Sequence, residues 1–188
     1  MAAVVGRPCG QPRQSHQELR GDAAGAPPPG FEFARTGGGA EGKWVVRVEK
    51  GAEKTVAVLK EGSYQDVTLT VRARPLSGKV DQGFGLVWRY KDANNYYITR
   101  CNADEDNCTI YHTVDGRRRA FLNHGVKVAT NTWHTLKLEA AGDHFTVWYD
   151  GNKVLDAKDE TFKEPGKVGL WTKADSVIEF DDFTVEGR

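Results

Sequence analysis

From Tyr64 to the C-terminus, apolar and polar residues alternate with a period of two, and the apolar positions are mostly β-branched or aromatic. Such a pattern suits pleated strands with one wet face, and no stretch offers the spacing of an amphipathic helix. In DVTLTVRARPL, Val67, Leu69, Val71 and Ala73 share one face, and Thr68, Thr70, Arg72 and Arg74 share the other. HTLKLEA repeats the arrangement, with His134, Leu136, Leu138 and Ala140 set against Thr135, Lys137 and Glu139. Turn chemistry separates the runs: Asp-Gly at 115–116 and 150–151, AGD at 141–143 and EPGK at 164–167. Strands are expected to begin near 43, 64, 84, 95, 108, 119, 132, 145, 153, 167 and 177. A regular succession of this kind, without helical spacers, predicts an all-β fold, an antiparallel two-sheet β-sandwich or jelly roll.

The first 42 residues read differently, because they hold nine of the 21 glycines and five of the seven prolines and little periodic hydrophobicity. Residues 1–27 are therefore expected to be a flexible leader, with APPPG as its stiff end, and 28–188 a single sandwich domain. Lys+Arg and Asp+Glu both number 26, which leaves no global field to draw nucleic acid or an anionic membrane. No apolar run reaches the ~20 residues of a membrane span, and MAAVV is too short for a signal-peptide core.

Four stretches, PPGFEFARTGGGAEGKW, GFGLVWRYKDANNYYITR, NTWHTLKLEAAGDHFTVWYDGNKV and GKVGLWTKADSVIEFDDFTV, carry a resemblance. Together they resemble the concanavalin A-like lectin/glucanase superfamily, and in particular bacterial proteins of the 3-keto-disaccharide hydrolase family. The resemblance spans roughly residues 28–187. It implies a concanavalin A-like jelly roll, a carbohydrate or glycoconjugate partner and an extracytoplasmic location, periplasmic or secreted. It rests on strand succession and not on a catalytic signature, so it speaks to fold more than to activity.

Glucanases of this superfamily carry a pattern like E-x-D-x-E, since side chains two apart share a face and can flank one glycosidic bond. IEFDDFTVE begins correctly with Glu179 and Asp181, but Phe183 stands where the third acid belongs and Thr184 fills the alternative position. His112, beside tyrosines, completes the set of weak catalytic candidates. The other histidines show no metal-ligand spacing, and His134, sharing a face with Leu136 and Leu138, reads as a hydrogen-bonded core residue. The NADEDN segment, 102–107, has the oxygen-rich composition of a calcium loop without the Asp-x-Asp-x-Asp-Gly order, so calcium and a solvated acidic turn both stand open. No other cofactor is indicated. Cys101 and Cys108 flank that segment and would face each other across a hairpin, bridged in an oxidising compartment and reduced in the cytosol.

GFGLVWRYKDANNYYITR carries five aromatic rings and two arginines, more than one apolar face requires. Alternation assigns Phe84, Leu86, Trp88 and Tyr90 to the core and Arg89 to the opposite face. Trp148 and Trp171 oppose inward apolar runs, and Arg100 sits amid Tyr96 and Asn95. Rings that stack on a pyranose and planar donors that pair with its hydroxyls make Arg89, Asn95, Tyr96, Arg100, Trp148 and Trp171 the candidate ligand-binding set. The reading is a carbohydrate-binding module without a recognisable glucanase site. Its alternatives are a glycoside hydrolase resembling the 3-keto-disaccharide hydrolases, with Glu179, Asp181 or His112 as acid/base, and a structural or adhesive envelope domain.

Overall fold

The computed structural model describes residues 14–17, 30–35 and 54–187, and at 14–17, 35, 54 and 55 the backbone alone. Among these there are thirteen strands and no helix. In chain order they are β1 (Gln14–Gln17), β2 (Phe31–Arg35), β3 (Lys54–Leu59), β4 (Val67–Ser77), β5 (Gly83–Asp92), β6 (Asn95–Asn102) and β7 (Asn107–Val114). There follow β8 (Arg117–Gly125), β9 (His134–Ala141), β10 (His144–Tyr149), β11 (Asn152–Lys158), β12 (Lys167–Lys173) and β13 (Val177–Gly187).

All pairs are antiparallel and form two sheets, one ordered β1-β13-β4-β9-β10-β11 and the other β2-β3-β12-β5-β6-β7-β8. The two-sheet jelly-roll sandwich read from the alternation is the fold. From β4 to β13 each strand begins within three residues of its expected start. The strand expected near 43 lies outside the described residues. Most of the expected leader, 1–27, lies outside the described residues, and its residues 14–17 pair with Phe183–Glu186 of β13. β2 and β3 were not anticipated: in β3, Val56, Ala57 and Val58 are all buried, so it reads as a continuous apolar run without alternation.

Local chemistry sets the connections. At Asp115-Gly116 and Asp150-Gly151 both residues take positive φ (48° and 75°, 47° and 79°), the two-residue turn whose twist matches that of the flanking strands. The core between the sheets holds Leu69 and Val71 from β4, Leu136 and Leu138 from β9, and Phe84, Leu86 and Trp88 from β5. Trp88 stacks on Tyr97 and meets Phe145 edge-on, at centroid distances of 5.2 and 5.1 Å. His134 is the buried, bonded residue the sequence implied, with Nδ1 2.8 Å from Asp150 and Nε2 2.9 Å from the Ala129 carbonyl.

The seven-stranded sheet is apolar on its outer face as well, where Val56, Val58, Val87, Tyr96, Ile98 and Trp171 are all buried. The reach of that second cluster follows from a bulge in β5. Arg89 has φ 45°, and the register with β6 shifts between Trp88 and Asp92. The extra residue reverses the alternation, turning Tyr90 outward beside Tyr96 and Arg89 inward.

Candidate functional site

Arg89 is therefore the first correction. It does not project from the outer face: its guanidinium, 1% exposed, lies 5.6 Å from the Phe145 ring centroid. It donates to the carbonyls of Gln65 (3.0 and 3.2 Å), Phe162 (2.7 Å) and Gly142 (2.5 Å). Burial holds its pKa below the ordinary arginine value. A side chain so enclosed ties three loops to β5 and has no fork to offer a ligand.

The remaining candidates divide between the two sides of the sandwich. Trp148 lies on the outer face of the six-stranded sheet, half-buried, with the Lys137 ammonium 4.7 Å above its ring. Glu179 is on that sheet too and forms an ion pair with Arg74, while Arg72 pairs with Asp182 at 3.1 Å. Both guanidinium groups lie over Trp133, at 4.8 and 5.1 Å. Asp181 is buried, and its carboxylate accepts a hydrogen bond from the Asp182 amide. Glu179 thus has a cation as its fixed neighbour and stands in a ladder of alternating charge. His112 belongs to neither outer face; its Nδ1 is 3.4 Å from Asp159 and 3.2 Å from the Thr161 hydroxyl, and its ring tilts over Phe121. The three acid/base candidates do not converge.

Asn95 bridges the β5–β6 turn, donating to both Asp92 oxygens at 3.0 and 3.1 Å and accepting from the Asp115 amide. It begins β6, five residues or about 17 Å before Arg100.

Arg100 and Trp171 do meet, on the outer face of the seven-stranded sheet, with Tyr96 in the same apolar cluster. Antiparallel register explains the meeting: Gly85 pairs with Arg100 on one side and with Trp171 on the other. Glycine is required between them, since a Cβ at Gly85 would lie 2.4 Å from the Thr99 carbonyl and 3.2 Å from the Arg100 Cβ. A Cβ at neighbouring Gly83 would lie 3.4 Å from Trp171 and 3.7 Å from the Arg100 stem. Two glycines thus make the hollow into which a large cation and a large ring are laid.

Around this pair stand residues that sequence reasoning did not select. Tyr111 OH accepts from Arg100 Nε (3.2 Å) and Nη2 (2.9 Å), and Glu105 accepts from Nη2 at 2.7 Å. Arg118 reaches over from β8, its Cζ 4.4 Å from the Tyr111 centroid and 5.3 Å from that of Trp171. At one end, Lys173 pairs with Asp81 at 2.5 Å, and Asp81 also accepts from Asn102 at 2.9 Å. The signal for Arg118 was the Asp-Gly turn ahead of it: a two-residue hairpin fixes Arg118 opposite Thr113 and hence on Tyr111's face.

Burial works against the Arg100 charge, but Tyr111 and Glu105 outweigh it and hold its pKa above the usual value. Burial also opposes the Glu105 carboxylate, yet hydrogen bonds from Arg100 and Asn107 keep its pKa below the ordinary range. Arg118 is pushed down, by burial first and by repulsion from Arg100. Three buried N–H groups here have no partner among the described residues: Nη1 of Arg100, Nη1 of Arg118 and the Trp171 indole. An unmet buried donor costs about 1–3 kcal/mol.

The acids of the 102–107 loop diverge to separate partners: Asp104 accepts from Gln82, Glu105 from Arg100 and Asp106 from Lys127. Among the described residues no group of three or more His, Cys, Asp or Glu side chains is placed to hold a metal ion. Cys101 and Cys108, opposite each other in β6 and β7, are joined by a disulfide with Cα atoms 4.1 Å apart.

Comparison with known proteins follows this geometry. The chain is similar to the levanase of Bacillus subtilis (strain 168), 32% identical over 98 residues, which is 51% of this chain and 14% of that enzyme. Among solved structures it is similar to the carbohydrate-binding module CBM66 from Bacillus subtilis, with TM-score 0.68 and 25% identity over 73% of this chain and 84% of the module. The exoplasmic/lumenal domain of VIP36, solved with Ca2+ and Man3GlcNAc, shares the fold at TM-score 0.60 and 9% identity, over 85% of this chain and 84% of that domain. Over residues 29–186 the sequence matches the pattern of the 3-keto-alpha-glucoside-1,2-lyase-like domain, and the chain belongs to that family.

Proposed function

We propose that this domain is a carbohydrate-binding module whose ligand is held at the Arg100–Trp171–Tyr111–Arg118 face. The observation that carries this reading is the gathering of guanidinium and indole donors left unpaired among the described residues beside Tyr111 and Trp171, groups of the kind that pair with sugar hydroxyls. The likeness to CBM66 supports it. An extracytoplasmic location goes with the reading, supported by the Cys101–Cys108 disulfide, which the cytosol would keep reduced.

The test is binding of the full chain to a broad glycan array, followed by titration of the tightest glycan against Arg100→Lys and Trp171→Phe. Each variant keeps much of the buried volume but loses a donor fork or an indole N–H. Affinity should drop about tenfold in each, a loss of about 1.4 kcal/mol, with the unfolding midpoint little changed. Retention of no glycan, or unchanged affinity in both variants, would overturn the reading.

A catalytic reading is favoured by the family match alone. In it the domain cleaves a 3-keto-glucoside, and among the described residues Glu105 is the partly exposed acid in direct contact with Arg100. Product release from a 3-keto-disaccharide, abolished by Glu105→Gln, would establish it in place of simple binding.

A further inference from the structure

We infer that the ligand of this face is an acidic polysaccharide, a chain of uronate sugars whose carboxylates are taken by Arg118 and its neighbours Arg117 and Arg119. The inference rests on the carbohydrate-binding reading and specifies the sugar. Its ground is the setting of the Arg118 guanidinium among the charged groups of the face. Arg100 is answered by Glu105 at 2.7 Å, and Lys173 by Asp81 at 2.5 Å. Asp104 is held by Gln82, and Asp175 by the amides of Lys79, Val80 and Asp81. Arg118 forms no ion pair within 4 Å among the described residues, with Asp81 acting on it only from a distance, and its Nη1 is both buried and unbonded among them.

A guanidinium pressed against two rings, as this one is on Tyr111 and Trp171, is fixed in orientation. A planar, immobile fork with a free N–H pairs best with a planar anion, and a carboxylate fits it better than a hydroxyl does.

A second observation is independent of the first. Arg118 is the middle of three consecutive arginines on β8, the terminal strand of its sheet. Arg117 and Arg119 are exposed and likewise without ion pairs among the described residues. With a formal net charge of +0, the chain has no general excess of cations to place there, so the basic edge is a local concentration. By alternation Arg117 and Arg119 fall on the other face of the same edge, and a polymer crossing the edge would meet all three. Charged edge strands also discourage strand pairing between molecules, but that role does not call for a half-buried arginine stacked on aromatic rings.

The experiment uses the full chain and three matched pairs of oligosaccharides differing at C6: galacturonan and galactan, mannuronan and mannan, glucuronan and glucan. Affinities are measured by calorimetry at two salt concentrations a few-fold apart, for the natural protein, Arg118→Gln, Arg118→Lys and the double variant Arg117→Gln/Arg119→Gln. The tightest ligand should be a uronate, and its affinity should fall several-fold at the higher salt. Arg118→Gln should lower it about tenfold and Arg118→Lys less, while the double variant should weaken binding several-fold without moving the unfolding midpoint. A neutral or salt-insensitive tightest ligand, or a double variant that binds as well as the natural protein, would overturn the inference and leave the carbohydrate-binding reading standing. Binding to none of the six would overturn the inference, and the glycan array alone then decides the carbohydrate-binding reading.

Discussion

Arg89 and Arg100 stand eleven positions apart, look alike in sequence and do opposite things. Both are nearly fully buried, but Arg89 spends its fork on the carbonyls of Gln65, Gly142 and Phe162, whereas Arg100 keeps Nη1 unbonded beside Trp171 and Tyr111. The difference lies in one backbone angle, the positive φ at Arg89 that turns it into the sandwich. Alternation cannot foresee a bulge that adds a residue, which is why the sequence placed this arginine on the wrong face. Replacing it should therefore cost stability and not binding. Arg89→Met leaves the carbonyls of Gln65, Gly142 and Phe162 without this donor and is expected to destabilise the fold by about 3 kcal/mol. That corresponds to a fall of roughly 6–12 °C in Tm for a chain of this size. Glycan affinity measured well below that Tm should be unchanged; a variant as stable as the parent would show that the buried guanidinium is not holding those loops.

At the scale of elements, the hairpins were legible because period and turn chemistry agree. The Asp-Gly pairs sit at the β7–β8 and β10–β11 turns, and these turns fix which residues face each other. The candidate site was only half legible. Trp171 and Arg100 were selected on their own strands, but the order β12-β5-β6-β7-β8 that brings them to Arg118 and Tyr111 is a long-range pairing that no local pattern records. By the same token, Trp148 was selected by an identical argument and falls on the other sheet. The hairpin of β6 and β7 carries Arg100, Glu105 and Tyr111 and is stapled by the Cys101–Cys108 disulfide. The double variant Cys101→Ala/Cys108→Ala is expected to lose about 2 kcal/mol, most of it through a less restricted unfolded chain. Sugar affinity should weaken as well, because Glu105 and Tyr111 orient Arg100 from the two sides of that staple. Chemical denaturation and glycan titration of the same sample check both; unaltered affinity would mean that strand pairing alone sets the hairpin's geometry.

For the molecule as a whole, two partly buried carboxyls held low by their donors contribute to the response to acid. Burial opposes the charge of Asp159, but hydrogen bonds from Thr161 and Tyr97 more than compensate, and its pKa lies below the ordinary value, as does that of Glu105. Each binds its proton less tightly folded than unfolded, so the unfolded chain gains protons first as pH falls. The stability they contribute is complete above the ordinary carboxylate range near pH 4 and drains away below it. Asp104 runs the other way, since burial and the charges of Asp81 and Asp175 raise its pKa, and its protonation offsets part of the loss. The urea midpoint should fall between pH 6 and about pH 3, and Glu105→Gln should show a smaller fall than the natural protein. An identical fall in the variant would remove Glu105 from the account.

The sheet order also carries a consequence for how the chain comes together in time. β12 lies between β3 and β5, and β13 between β1 and β4, so each sheet receives an interior strand from the last part of the domain. The run β5-β6-β7-β8 can zip from neighbour to neighbour as it is synthesised, but β4, which pairs with β9 on one edge, must wait for β13, roughly a hundred residues later in the chain, to cover the other. Until β12 and β13 arrive, one long edge of β4 and one of β5 stand unpaired, each lined with apolar side chains. A nascent chain of this topology therefore has its period of greatest exposure just before completion, when nearly all of the sandwich exists and neither sheet is closed.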